Sequence, residues 1–288
     1  QDLNNLEKWK YPKKLLLVCL KLIKIEMNFF DCFMYNNEEL LLDIRLSILS
    51  KYIKKFILVE SLVDHQGNAK KNSFQIENFK KYKDKIIHLK IESFPETLKG
   101  TWERENFQRN FISYATENLL DDDYIIISDV DEIPNLRNYK YSEKFKFTVF
   151  QQSNFCFKFN MKNMTFPNWY GSKLCKKKYL KSPQWLRNQK VKKRFFFEFY
   201  KIKWNIVQNG GWHFSFLMNP HQIISKIKSF AHDEFNKSEF LEINEIKKKI
   251  SSGIDLFNRD QKYQKVNFDK TFPKIILENI EKYKEWIA

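Results

Sequence analysis

Glycine and proline are scarce in this sequence, with 6 and 7 in 288 residues, which argues against a fold built from many tight turns. The four cysteines form no CxxC pair and no zinc-ligand spacing, so neither a disulfide framework nor a structural zinc site is expected. No apolar run reaches the roughly 18 residues of a membrane-spanning helix. The nearest candidate, residues 15–25, is interrupted by Lys21 and Lys24.

Four common catalytic motifs are absent as well. The sequence has no GxxxxGK(S/T) phosphate loop, no GxGxxG dinucleotide motif, no GxSxG nucleophile motif and no HExxH zinc motif. These absences argue against the simplest ATPase, dehydrogenase, hydrolase and zinc-protease interpretations.

The net charge of +16 comes mostly from lysine, with 44 lysines and only 7 arginines. A protein that reads nucleic acid usually carries more arginine, because guanidinium groups make bidentate contacts with bases and phosphates. We therefore interpret most of the charge as solvated surface and expect no specific nucleic-acid partner. Contact with an anionic membrane, or with polyanions at low salt, stays open.

Hydrophobic periodicity predicts an α/β fold. The predicted strands are 27–35, 55–61, 85–91, 123–128, 144–160 and 193–207. The predicted helices are 38–52, 74–82, 103–120, 220–231 and most of a peripheral segment at 240–288. The alternation in the first half predicts a mostly parallel central sheet flanked by helices, with ligands at the carboxyl ends of the strands.

Three acidic residues crowd the end of the strand at 123–128, in the sequence SDVDEIP at 128–134. In an extended backbone Asp129 and Asp131 point to the same side, where they repel each other unless a cation lies between them. Mg²⁺ and Mn²⁺ prefer such oxygen ligands and commonly share them with nucleotide phosphates. The motif therefore predicts a metal–diphosphate site, and a solvated acidic turn is the alternative.

Two further segments carry candidate side chains. Arg104 and Arg109 lie on the helix predicted at 103–120, where they are expected to face a phosphate or the acidic cluster. A surface helix with internal ion pairs is the alternative. Gly211 precedes a Trp-His pair, where a small residue lets a ligand approach the backbone. His213 is then a metal ligand or a phosphate hydrogen-bond donor, or else a core histidine.

Six segments, in this order, resemble glycosyltransferase family 17, the family of β-1,4-mannosyl-glycoprotein 4-β-N-acetylglucosaminyltransferase. They are NE with LLDIRL within 37–46, LVES at 58–61, WERENFQRN at 102–110, ISDVDEIP at 127–134, GGWHFS at 210–215 and SFAH at 229–232. The resemblance runs from about residue 27 to residue 236. It implies a GT-A-like fold and an inverting transfer from a UDP-sugar, with N-acetylglucosamine as the sugar and a glycan or glycoprotein as acceptor.

The resemblance also implies roles for individual residues, with Mn²⁺ or Mg²⁺ as the metal. The expected metal ligands are Asp129, Asp131 and His213. The resemblance places Glu60 beside the nucleotide, and the motifs themselves add Arg104, Arg109, Ser128 and Gly211 as expected nucleotide contacts. A carboxylate is expected to take the proton of the acceptor hydroxyl. Glu132 is expected in that role, and Asp233 and Glu234 are the alternatives.

The predicted organisation is a basic lead-in at 1–26, a glycosyltransferase domain at 27–240 and a lysine-rich helical extension at 241–288. Two other functions stay open: a nucleotidyltransferase that uses the same paired aspartates, and a non-catalytic basic module that binds polyanions. A nucleotidyltransferase would be expected to carry a Gly-Ser helix motif just ahead of the acidic residues, and this sequence has none there. The compartment is not assigned, since a eukaryotic family member implies the Golgi lumen and a viral or bacterial one the cytoplasm.

Overall fold

The computed structural model describes residues 27–70, 73–191 and 202–288 of the chain. The predicted lead-in at 1–26 lies outside these residues, as does the first part of the strand predicted at 193–207. The described part is a mixed α/β structure with two β-sheets and seven α-helices.

The described strands and helices are numbered in chain order. The strands are β1 Phe29–Tyr35, β2 Ile53–Ser61, β3 Ile86–Ile91, β4 Tyr124–Asp129, β5 Glu132–Pro134, β6 Phe147–Phe150, β7 Gln152–Cys156, β8 Met161–Asn163, β9 Asn168–Trp169, β10 Lys173–Lys176, β11 Trp204–Val207, β12 Gly211–Ser215 and β13 Tyr263–Lys265. The helices are α1 Glu39–Leu49, α2 Thr101–Asn110, α3 Ser113–Thr116, α4 Pro183–Asn188, α5 Pro220–Ser229, α6 Ile243–Ser252 and α7 Lys274–Leu277.

The first sheet has the strand order β11-β6-β10-β4-β1-β2-β3. Strands β3, β2, β1 and β4 are mutually parallel, as the alternating pattern of the first half predicts, whereas β10 is antiparallel to both of its neighbours. The chain order reverses between β1 and β4, whose carboxyl ends lie side by side. Such a reversal opens a crevice in which open α/β sheets bind ligands.

The helices predicted at 38–52, 103–120 and 220–231 are right in place but longer than the observed helices. The segment predicted at 103–120 is divided into α2 and the short α3. The segment predicted at 74–82 is a 3₁₀-helix, Ile76–Lys85, with non-helical backbone angles at Phe79. The single strand predicted at 144–160 is also divided, because β6 joins the first sheet and β7 the second.

The second sheet has the order β13-β8-β7-β12-β5, and β9 pairs with β7. Strand β5 follows β4 after only Val130 and Asp131. The acidic turn, defined here as residues 128–132, therefore connects the carboxyl edge of the first sheet to the second sheet. Side chains from both sheets lie close to this turn.

The segment 241–288 is neither peripheral nor mostly helical, contrary to the sequence-based expectation, because α6 and α7 cover only a minority of it. Ile276 and Tyr283 are buried in the same core cluster as Phe33 and Leu58 of the first sheet. Strand β13 adds an edge to the second sheet. The lysines of this segment therefore alternate with apolar side chains that complete the core.

From the sequence we expect no disulfide framework and no membrane-spanning helix. Cys32, Cys156 and Cys175 are buried free thiols, and burial raises the pKa of each. Within the three described ranges, no helix has the length and apolar character needed to cross a bilayer.

Candidate functional site

The acidic turn lines a cavity of about 550 Å³. The cavity is bounded by the carboxyl ends of β1 and β2, by α2 and α5, and by β7 and β12 of the second sheet. It therefore lies at the sheet edge where the strand pattern predicts a ligand.

Arg45 of α1 holds the backbone of the acidic turn. Its side chain is fully buried and pairs with the buried carboxylate of Asp31, with Nη2 2.6 Å from Oδ1. Nη1 donates to the carbonyl oxygens of Asp129 and Glu132 at 3.0 and 2.8 Å. Nη2 also donates to Oγ of Ser128 at 2.5 Å. Ser128, predicted to contact the nucleotide, is thus buried against Arg45 beneath the turn.

The carboxylate of Asp129 lies between two arginines. Nη2 of Arg187 is 2.6 Å from its Oδ2, and Nη2 of Arg109 is 3.2 Å from its Oδ1. Burial raises the pKa of Asp129, but the two guanidinium groups outweigh burial and hold that pKa well below its usual range. Arg109 therefore faces the acidic cluster, one of the two positions expected for it.

Glu132 is fully buried and accepts hydrogen bonds at both carboxylate oxygens. Arg187 donates to Oε2 at 2.8 Å and to Oε1 at 2.9 Å, and Nε1 of Trp169 donates to Oε1 at 2.6 Å. The backbone N–H of Asp129 donates to Oε2 at 3.0 Å. The residue predicted as the base thus has its oxygens bonded by protein donors.

The side chains of Asp131 and His213 lie close together in the cavity lining, with Oδ2 of Asp131 3.8 Å from Nε2 of His213. Nδ1 of His213 lies 3.1 Å from Oδ1 of Asn154, whose Nδ2 donates to the carbonyl of Phe166 at 3.0 Å. The bond to Phe166 identifies Nδ2 as the donor side of the Asn154 amide, so Oδ1 is the side that accepts from His213. We therefore assign the proton of the neutral imidazole to Nδ1, which leaves a lone pair on Nε2. Burial raises the pKa of Asp131, and the ammonium group of Lys226 only partly offsets it.

Asp131 and His213 fit a divalent cation better than Asp129 does. A carboxylate oxygen and an imidazole lone pair at this separation are ligands that Mn²⁺ accepts, and a hydrogen-bonded Nδ1 is typical of metal-ligating histidines. Both oxygens of Asp129 are already bonded by arginine. Three or more His, Cys, Asp or Glu side chains do not cluster as a metal site anywhere in the described ranges. A bound cation would therefore complete its shell with phosphate or water oxygens.

Glu60 and Arg104, both predicted to contact the nucleotide, do not line this cavity. The carboxylate of Glu60 is fully buried, accepts from the backbone N–H of Phe74 at 2.9 Å and lies 3.2 Å from Nε2 of His88. Nη1 of Arg104 donates to the carbonyl of His65 at 2.9 Å. These contacts attach the loop after β2 to the first sheet.

Gly211 permits a close approach between two strands. It has a φ of +132°, and a Cβ there would lie 2.1 Å from the carbonyl oxygen of Ile133 on β5.

Of the two alternative bases, Glu234 is exposed and its Oε1 lies 2.7 Å from Nδ1 of His232, which lines the cavity. The side chain of Asp233 lies outside the described atoms.

Arg45, Arg187 and Trp169 were not singled out from the sequence as site residues. Arginine scarcity was the usable signal for the first two, because three of the seven arginines, including Arg109, converge on the acidic turn. Trp169 carries no comparable signal, since it lies on a two-residue strand outside every predicted element.

A comparison with known protein families identifies the family of this chain. The model of glycosyltransferase family 17 matches residues 13–269 of the 288. That range includes the acidic turn, all three arginines around it and His213. A search of the curated proteins gives no match. The family match spans far more than half of the sequence, and the chain therefore belongs to glycosyltransferase family 17.

Proposed function

We propose that the protein is an inverting glycosyltransferase that moves N-acetylglucosamine from UDP-N-acetylglucosamine to a glycan hydroxyl group. Family membership supports glycosyl transfer in general. The observation that carries the specific proposal is the acidic turn, where Asp131 and His213 lie 3.8 Å apart beside the Asp129–Arg187 pair. A paired carboxylate and imidazole beside cationic groups suit a metal-bound diphosphate.

The first sheet supports a GT-A-like nucleotide-sugar domain. Of the four adjacent parallel strands β3-β2-β1-β4, strands β2, β1 and β4 end at the cavity, which residues of α2 also line. A nucleotide would lie over the reversal between β1 and β4. Its diphosphate would then reach the acidic turn at the end of β4.

Cationic side chains around the turn suit a leaving diphosphate. Arg109, Arg187 and Lys226 all line the cavity, and Nζ of Lys226 is 4.0 Å from Oδ2 of Asp131. Preorganised cations stabilise the negative charge that develops on a leaving group. A Mn²⁺ or Mg²⁺ ion held by Asp131 and His213 would supply further charge neutralisation.

The proposal separates positioning from proton transfer. Glu132 orients Arg187 and Trp169, because both of its oxygens are bonded to protein donors. We propose that Nε2 of His232 accepts the proton of the acceptor hydroxyl. Glu234 orients this imidazole, with its Oε1 2.7 Å from Nδ1 of His232. His232→Gln is expected to lower kcat, and an unchanged kcat would contradict this assignment.

The test of the donor and metal site is calorimetric titration with UDP and with UDP-N-acetylglucosamine, each with and without Mn²⁺. In the wild type, Mn²⁺ is expected to strengthen binding of both. Asp131→Asn is expected to weaken the Mn²⁺-dependent binding by at least roughly tenfold. Asp122→Asn is the matched control, since Asp122 is a surface residue paired with Lys176 and Lys178.

Two results would contradict the proposal. If Asp131→Asn keeps full Mn²⁺-dependent UDP binding, the metal assignment is wrong. If the wild type binds no UDP under either condition and instead turns over a nucleoside triphosphate, the donor assignment is wrong and a nucleotidyltransferase is favoured.

A further inference from the structure

Trp169 is a partly exposed aromatic ring that is fixed in orientation. Its Nε1 donates to Oε1 of Glu132 at 2.6 Å, and its ring stacks on His213 with centroids 4.6 Å apart and planes 19° from parallel. Pairing of β9 with β7 places it opposite Gln152. The residue is still 37% exposed and lines the cavity. A ring held in this way loses little conformational entropy when a ligand packs against it.

Apolar and amide side chains accompany Trp169. Met164 and Phe166, shortly before it in the chain, are exposed apolar side chains. Asn163 and Gln261, joined by a 2.8 Å hydrogen bond, line the same cavity as Trp169. Exposed apolar groups beside polar ones typically mark a binding surface.

We propose that the exposed surface of Trp169 binds a pyranose ring of the acceptor glycan. The inference rests on the proposed function and deepens it. The face of an aromatic ring carries partial negative charge, which attracts the weakly positive C–H groups on one face of a pyranose. A hydroxyl group at the edge of that sugar finds an amide donor in Nε2 of Gln261, whose Oε1 accepts a hydrogen bond from Asn163 at 2.8 Å.

The position of Trp169 assigns this ring to the acceptor and not to the donor. The nucleotide end of the cavity is formed by the first sheet, whereas Trp169 belongs to the second. His213 contacts both Asp131, at 3.8 Å, and Trp169, at 4.6 Å between centroids. A sugar on Trp169 therefore lies beside the reacting centre, on the side away from the nucleotide.

The experiment is saturation-transfer NMR on the full chain in the presence of UDP and Mn²⁺. The probes are the methyl glycosides of α-mannose, β-galactose and β-N-acetylglucosamine. Trp169→Ala is expected to weaken binding of the recognised glycoside by roughly tenfold. Trp169→Phe keeps an aromatic face and loses only the bond to Glu132, so it is expected to retain most of the affinity. Tyr114→Ala, an exposed aromatic outside the cavity, is the matched control.

Unchanged glycoside binding in Trp169→Ala overturns the inference, and so does a wild type that binds none of the three glycosides. An equal loss in Trp169→Phe also overturns it, because the ring would then act only by holding Glu132. Calorimetry with UDP on the same variants separates the two proposals. Intact UDP binding without glycoside binding leaves the donor site standing, whereas loss of UDP binding in Trp169→Ala reassigns the ring to the donor.

Discussion

Nη2 of Arg187 lies 2.6 Å from Oδ2 of Asp129, and the same guanidinium group donates to both oxygens of Glu132. One side chain from the short helix α4 thereby joins the end of β4 to the start of β5. Arginine suits this position because its planar donors reach two carboxylates at once, whereas a lysine ammonium acts as a single point charge.

Replacing Arg187 is expected to damage both stability and ligand binding. Arg187→Ala leaves the buried carboxylate of Glu132 without its main charge partner, which costs about 3–5 kcal/mol of unfolding free energy. Arg187→Lys keeps the positive charge but loses the planar pair of guanidinium donors, so we expect an intermediate loss of stability and weaker UDP binding. Urea denaturation and UDP calorimetry measure the two effects. Arg137→Lys, at an exposed arginine, should match the wild type, and equal behaviour of both lysine variants would contradict the prediction.

Arg45 offers a test of how the turn is supported from α1. Arg45→Met removes the donor of the carbonyls of Asp129 and Glu132 and leaves Asp31 buried without a partner. We expect a loss of about 3–5 kcal/mol of unfolding free energy, measured by urea denaturation. Adding Asp31→Asn should recover part of this loss, because the uncompensated charge disappears. A double variant no more stable than Arg45→Met would show that the pair itself contributes little.

Lys173 of β10 should make stability depend on pH. Burial, followed by the charge of Arg187, lowers the pKa of Lys173 from 10.5 to about 8. The unfolded chain therefore binds more protons than the folded one between these values, and stability should rise with pH across this window. Relative to Lys173→Met, the wild type should gain at most ~3 kcal/mol from pH 7 to pH 10.5. Urea denaturation measures this difference, Lys99→Met is the exposed control, and parallel pH profiles for the wild type and Lys173→Met would refute it.

Gly171 lies against the Glu132 carboxylate with no room for a side chain. A Cβ at this position would be 2.1 Å from Cδ of Glu132. Glu132 cannot move aside without breaking its bonds to Arg187 and Trp169, so Gly171→Ala should destabilise the protein by about 1–3 kcal/mol and weaken UDP binding. Thermal unfolding and UDP calorimetry measure the two effects. At Gly100 the atom nearest to an added Cβ would be 3.5 Å away, so Gly100→Ala should lower the stability much less.

The parallel strands and the acidic turn were predictable because both are local patterns. A continuous apolar run ending in SDVDE places Asp129 and Asp131 at a strand end without knowledge of any distant contact. The partners of the turn come from elsewhere in the chain, and their pairing depends on the packing of two sheets. Arg45 was the most accessible of these, since it lies between Leu41 and Leu49 on the buried side of α1, where a charged residue requires a buried partner.

The carboxylate of Glu132 accepts hydrogen bonds from Arg187 of α4 and from Trp169 of the second sheet, and the two donors share Oε1. The two walls of the cavity therefore share one carboxylate. Under the proposed assignment of the donor and acceptor sites, a replacement at position 132 alters both walls together, so donor and acceptor preference cannot be selected independently there. New substrate preferences would have to arise by paired replacements around this carboxylate, or in side chains that do not touch it.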